Sequence, residues 1–186
     1  MAVNFRTRSG ITGAALQKGL NGLLPADIAV TGASDVGSEW HARKSAVYRE
    51  YDYLIWNKSY PDVFTAATAY HVAKPLDVKA MAEAARDVLG EHDFRAFCVA
   101  SSAHKGCVRK VTLMRVDEPE KGLVKITIRA NGFVHRMVRS IVGTMIDIGL
   151  GKADGLAIKR LLESGDRRMA GKTAPARGLT LTKIGY

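Results

Sequence analysis

Residues 133–148 constrain the fold more than any other stretch. Val134, Met137, Val138, Ile141, Met145 and Ile148 recur at the i, i+3, i+4, i+7 spacing of one helical face. The spacing predicts a helix from Phe133 to Ile148. Val142, Ile146 and His135 fall to one side of that stripe, Arg139 lies beyond them, and only Arg136, Ser140, Gly143 and Asp147 read as solvent-facing. A helix apolar over this much of its circumference is covered on more than one side. It is expected to pack on a sheet and also to line a cleft.

The other elements supply that sheet. Glu50 to Trp56 alternates, with Tyr51, Tyr53 and Ile55 on one face and Asp52, Leu54 and Trp56 on the other. Val108–Val116 and Leu123–Ala130 read as strands joined by a hairpin over Asp117–Gly122, and Gly178–Ile184 reads as a last strand. Val3–Phe5 and Ile28–Val30 are short strand-like pieces. Helices are predicted from about Thr12 to Leu23, stopped by Pro25, from an Asp77 cap to Leu89, stopped by Gly90, and over Leu156–Leu162. Strands and helices mixed with hairpin connections predict an α+β fold, a largely antiparallel mixed sheet with helices packed on it.

With 186 residues the chain is long enough to bury a core without disulfide or metal. Two cysteines, Cys98 and Cys107, make no disulfide framework. The start lacks a signal-peptide pattern, and no apolar run reaches the roughly eighteen residues of a membrane span. The expected compartment is a reducing cytoplasm, with no membrane partner. The net charge of +10 makes a polyanion the first partner to consider, nucleic acid before membrane.

Chemistry-bearing patterns are sparse. His92, Cys98, His104 and Cys107 lack the short Cys-x₂₋₄-Cys pair of structural zinc sites, so they read as small buried thiols and surface imidazoles. No Gly-x-Ser-x-Gly, Walker or dinucleotide fingerprint occurs, so hydrolase and nucleotide-cofactor chemistry has no support. What remains is cations beside aromatics. His41, Arg43, Lys44, Arg49 and Tyr51 crowd one stretch, and Lys105, Arg109 and Lys110 another. His135, Arg136 and Arg139 decorate one helix, while Arg167, Arg168, Lys172 and Arg177 flank a Gly/Pro loop. Guanidinium forks suit phosphate and aromatic rings suit unstacked bases. By alternation alone Tyr51 is as readily a core residue, and Arg139 a solvent-facing one.

These residues resemble the tRNA pseudouridine synthase A family over nearly the whole chain. Leu20-Asn21 with Leu24-Pro25-x-Asp27-Ile28, His41-Ala42-Arg43 with Ser45-Ala46 and Tyr51-x-Tyr53, and Gly90-Glu91-His92-Asp93-Phe94 with Phe97-Cys98 follow in the family's order. Asn131-Gly132-Phe133-Val134-His135-Arg136-Met137-Val138-Arg139 is the most specific block, and Gly165-Asp166-Arg167 with Ala170-Gly171-x-Thr173-Ala174-Pro175 closes the series. The resemblance implies isomerisation of uridine to pseudouridine in the anticodon stem-loop of tRNA, without metal or organic cofactor. It implies a homodimer of two-lobed subunits with a basic cleft. Tyr51 matches the pocket tyrosine that stacks on the uracil and assists proton removal from C5. Arg139 matches the basic partner of the nucleophilic aspartate. Arg43, Lys105, Arg109, His135, Arg136 and Arg177 are the expected RNA-binding residues.

One departure stands out. The family's nucleophile lies in Gly-Arg-Thr-Asp-x-Gly-Val-His, and no such motif occurs in these 186 residues. The chain is therefore expected to comprise a remnant of the catalytic-aspartate lobe over residues 1–40 and a pseudouridine-synthase-like RNA-binding and active-site lobe over residues 41–186. Alone, it is expected to be inactive. The alternative is a non-catalytic RNA-binding or dimerisation module derived from the same family.

Overall fold

The computed structural model describes residues 1–98 and 106–186, which divide into two compact units, Met1–Ala46 and Val47–Tyr186. The first unit holds one helix, α1 (Gly13–Leu23), whose Thr12 hydroxyl accepts from Ala15 N at the N-terminus. The pieces expected as strands are not strands. Val30 is held instead by side chains from the helix: Asn21 Oδ1 accepts from its N–H at 2.7 Å, while Asn21 Nδ2 and Gln17 Nε2 donate to its carbonyl, each at 3.0 Å. With its backbone groups satisfied this way, Val30 needs no ladder. None of the unit's residues is buried, and Leu23, Val3 and Phe5 are exposed.

The second unit is the α+β body. Strand β1 (Tyr48–Trp56) pairs antiparallel with β5 (Leu123–Ala130), β5 with β4 (Val108–Glu120), and β4 with β3 (Gly90–Asp93). The other edge of β1 carries β6 (Leu179–Gly185), antiparallel, and then the two-residue parallel β2 (Tyr70–His71). The sheet order is β2-β1-β5-β4-β3 with β6 also on β1, so the sheet is mixed and largely antiparallel.

Alternation gives the sheet two different faces. Tyr53 and Ile55 of β1 join Val124, Ile126, Ile128 and Ala130 of β5 in the core. The reverse face is ionic. Lys125 Nζ lies 2.9 Å from Asp52 Oδ2, Thr127 donates to Asp52 Oδ1 at 2.8 Å, and Arg129 Nε donates to Glu50 Oε2 at 2.6 Å.

Three helices cover the core face. The first, α2 (Val78–Ala84), is capped by Asp77 and ends in a 3₁₀ turn, Ala85–Val88, before Gly90. The others are α3 (Met137–Gly149) and α4 (Ala157–Ser164). The central helix departs from expectation twice. It starts at Met137 rather than Phe133, because Arg136 adopts a left-handed φ of 66° and breaks the helical run. His135 and Arg136 thus sit in an exposed loop and not on the helix. Ser140 and Gly143, expected to be wet, are buried. A strap formed by residues 171–175 crosses that side: Ala174 N donates to Arg139 O at 3.0 Å and Gly171 N to Thr144 Oγ1 at 3.3 Å.

Gly143 is where the strap comes closest. A Cβ there would stand 1.9 Å from Lys172 O, which is backbone and cannot swing aside. Gly143→Ala is therefore expected to destabilise the protein by about 1–3 kcal/mol, and Ile141→Ala, at a fully buried position, by about 2–5 kcal/mol. Arg139→Ala is expected to cost less than Ile141→Ala. Urea titration checks the series; wild-type stability in Gly143→Ala would mean the strap is not seated on α3.

Candidate active site on the strap side of the sheet

Three segments meet beside the N-terminal end of α3. From β1, alternation directs Tyr51 and Tyr53 to the core-facing side. Tyr53 is fully buried, and its hydroxyl donates to Pro175 O at 2.8 Å. From α3, Arg139 is half-buried and donates through Nε to Ala174 O at 2.6 Å. Phenol and guanidinium thus rest on consecutive carbonyls of the strap. Tyr51, two residues before Tyr53 and half-buried, meets the edge of Phe133 in a T-shaped contact at 5.1 Å. The strap is itself held from outside by Arg167, which donates to Thr173 Oγ1 at 2.8 Å and to Ala96 O at 3.4 Å.

Charge around the site is one-sided. Among the described residues no carboxylate lies within ion-pairing distance of Arg139, because Glu50 and Asp52 point to the reverse face of β1 and are taken by Arg129 and Lys125. Burial raises the pKa of Tyr53 far above its ordinary value of 10.0 and Tyr70 adds to the rise, while Arg139 and Arg177 oppose it. The hydroxyl therefore stays a donor to the strap.

The other expected site residues are placed as follows. Arg109, half-buried on β4, donates through Nη1 to Val108 O at 2.6 Å and passes over Gly132. That glycine belongs to a loop stapled by Asn131, whose Oδ1 accepts from Lys110 N at 3.0 Å and whose carbonyl accepts from Arg49 Nη1 at 3.0 Å. His135 and Arg136 are exposed on the same loop, next to Phe133. Arg177 is exposed at the end of the strap, 5.7 Å from the Tyr70 ring. Arg43 lies in the first unit, exposed in a turn where its N–H donates to His41 Nδ1. Lys105 lies outside the described residues, as does His104.

His92, Cys98 and Cys107 take other partners. His92 Nε2 lies 2.8 Å from Leu89 O, and Cys98 and Cys107 bring their sulfurs to 3.7 Å from each other. Burial first, and then Cys107, pushes the Cys98 thiol up to about 11. Among the described residues no group of three or more His, Cys, Asp or Glu side chains is arranged to hold a metal ion, and no helix is long and apolar enough to cross a membrane.

Tyr53, Phe133, Thr173 and Asn131 were not assigned roles by sequence patterns. Alternation marked Tyr53 as core, yet nothing local identified the carbonyl its hydroxyl would meet 122 residues later.

Tyr53 yields a pH prediction. Its folded pKa lies above its unfolded one, so its contribution to stability is full below about pH 10 and is lost as pH rises from there toward the folded value. Tyr53→Phe should cost about 1 kcal/mol at neutral pH through the lost hydrogen bond. It should also lose less stability than wild type between neutral pH and the region above pH 10. Parallel alkaline slopes in urea titrations of the two proteins would disprove this.

Comparison with known proteins gives the chain a family. The family described as tRNA pseudouridine synthase matches residues 84–186, which include β3 to β6, α3 and the strap. Over 184 residues the chain is 43% identical to tRNA pseudouridine synthase A of Bacillus velezensis, covering 99% of this chain and 74% of that protein. It is 40% identical to tRNA pseudouridine synthase A of Acetivibrio thermocellus over 98% of this chain and 75% of that protein. It is 45% identical to the protein of the same name from Shouchella clausii over 90% of this chain and 64% of the relative. With identity of this level running through both units, the chain belongs to the tRNA pseudouridine synthase A family.

Proposed function

We propose that this polypeptide contributes the uracil-stacking and arginine side of a site that isomerises uridine to pseudouridine in the anticodon stem-loop of tRNA. What supports the reading is the Tyr51–Phe133 ring contact on the face of β1 that packs toward α3, together with Arg139 of α3 seated on Ala174 O with no carboxylate paired to it among the described residues. The target nucleotide leaves its stack at a cost of a few kcal/mol. Stacking on Tyr51, worth about 1–3 kcal/mol per base, offsets part of that. Breaking the bond from C1′ to N1 frees the uracil to turn, and C5 then bonds to C1′. Tyr51 assists removal of the C5 proton, and N1 ends protonated, so the product is an isomer of the substrate.

Arg139 serves as the partner of the nucleophilic aspartate. A guanidinium beside a carboxylate favours its ionised form and fixes its direction. These 186 residues by themselves are inactive in this reading, because the aspartate motif does not occur in them. Residues 1–40 correspond to the lobe that bears it, and residues 41–186 to the RNA-binding lobe. Arg43, Lys105, Arg109, His135, Arg136 and Arg177 contact RNA phosphates. The working unit is a cytoplasmic homodimer that uses no cofactor.

Two measurements test this. The chain is incubated with unmodified tRNA, with and without a polypeptide carrying a relative's Gly-Arg-Thr-Asp segment, and pseudouridine is assayed. No product alone and product on addition, abolished by Arg139→Ala, is the expected result. Turnover by the chain alone would refute the inactivity. Failure of the added segment to restore turnover, with RNA still bound, would favour the non-catalytic RNA-binding or dimerisation module. In salt titrations of tRNA binding, Arg109→Ala and Arg43→Ala should each weaken affinity and flatten the log–log slope by about 1. Unchanged slopes in both would return these arginines to the ordinary surface.

A further inference from the structure

The far end of β1 carries a cationic and aromatic feature that the uridine site does not use. A cavity of about 410 Å³ is lined by Asn57, Lys58, Tyr60, Glu118, Lys121 and Gly122. Two of these residues are lysines, and neither has a carboxylate within 4.0 Å among the described residues. Glu118 accepts from Gly122 N at 2.7 Å and keeps its charge, so the lining holds two cations and one anion. Asp62 feels the charge of Lys58 but is committed to its own turn, accepting from Thr65 N at 3.1 Å.

Lys58 is positioned rather than free to wander. Its ammonium stands 4.3 Å above the Trp56 ring, and its stem lies where a Cβ on Gly122 would come within 2.5 Å. Gly122 has a φ of 87°, a turn conformation that also favours glycine.

Beside the cavity the loop after β1 displays apolar side chains outward. Tyr60 is 60% exposed, Val63 81% and Phe64 92%. The loop is fixed from within: Trp56 Nε1 donates to Tyr60 O at 2.9 Å, Asp62 caps Phe64 and Thr65, and Thr65 O accepts from Ala69 N at 2.8 Å. An ordered scaffold that holds rings in water next to ammonium groups without a carboxylate partner has the two parts of a non-sequence-specific RNA contact, cations for phosphate and rings for bases.

We propose that Lys58, Lys121, Tyr60 and Phe64 form a second RNA-binding surface, separate from the uridine site, that takes the phosphodiester backbone and an unpaired base of the same tRNA outside its anticodon stem-loop. Lys58 follows β1, whose end at Trp56 lies about 17 Å beyond Tyr51, at about 3.4 Å per residue. It stacks on Trp56, which belongs to the face opposite Tyr51. One nucleotide cannot reach both places, so a different part of the folded RNA must occupy this one. The proposal rests on the tRNA reading above and names a further region of that substrate. Charge complementarity with a chain of net charge +10 favours RNA over a protein partner.

The test uses the full chain, unmodified tRNA and an isolated anticodon stem-loop RNA, with affinities read by fluorescence anisotropy across a salt series. The double variant Lys58→Ala/Lys121→Ala should flatten the tRNA salt slope by about 2. Phe64→Ala should weaken tRNA binding about fivefold or more. Both should leave stem-loop affinity unchanged, and Lys58→Arg/Lys121→Arg should retain tRNA binding. Equal losses on both RNAs, or none on tRNA, overturn the second surface. Conversion of a dimer to a monomer by Phe64→Ser with tRNA affinity unchanged also overturns it, and assigns the loop to a second copy of the chain. If the unaltered chain binds neither RNA, the tRNA reading itself fails. If Arg109→Ala weakens both RNAs while these variants weaken neither, that reading stands and this surface falls.

Discussion

The site hangs on one seam, the strap over α3. Arg139 meets Ala174 twice, through its carbonyl to the alanine N–H and through its guanidinium Nε to the alanine carbonyl. Tyr53 takes the next carbonyl, and Arg167 ties Thr173 from the other side. These four bonds set where the guanidinium lies and keep α3 covered on the side away from the sheet. A charged donor to a carbonyl in a partly dry setting is stronger than a neutral pair. Gly143 permits the seam, since any side chain there would meet the strap backbone.

Pleat alternation then sorts charge across the sheet. Glu50 and Asp52 are spent on Arg129, Lys125 and Thr127 at the reverse face, while Tyr51 and Tyr53 lie toward α3. A one-residue slip of β1 would exchange these sets and place carboxylates against the apolar helix. The ladder between Arg49–Ala130 and Trp56–Leu123 prevents it. The same sorting leaves the strap side cationic, with Arg139 and Arg177 near Tyr53.

The unit Met1–Ala46 follows a different logic. Its helix is well capped and its loop is held by Asn21 and Gln17, yet it buries none of its residues. Hydrogen bonds fix its local shape without the apolar burial that supplies most of the stability of a folded domain.

The sequence by itself determined the elements whose signals are local. The apolar stripe of α3, the Asp77 cap, the alternation of β1 and the Leu123–Ala130 strand all follow from spacing and capping chemistry. So did the two-sided covering of α3, because apolar area on two flanks needs two neighbours. Tertiary structure decided the rest. It started the helix at Met137, after a left-handed Arg136 turns the chain, and moved His135 into a loop. It buried Ser140 and Gly143, which lie on the helical strip away from the apolar stripe, under a strap about thirty residues later in the chain. It withheld strands at Val3–Phe5 and Ile28–Val30, since a strand exists only with a partner edge. Spacing records which residues share a face, but only the folded chain decides what covers that face.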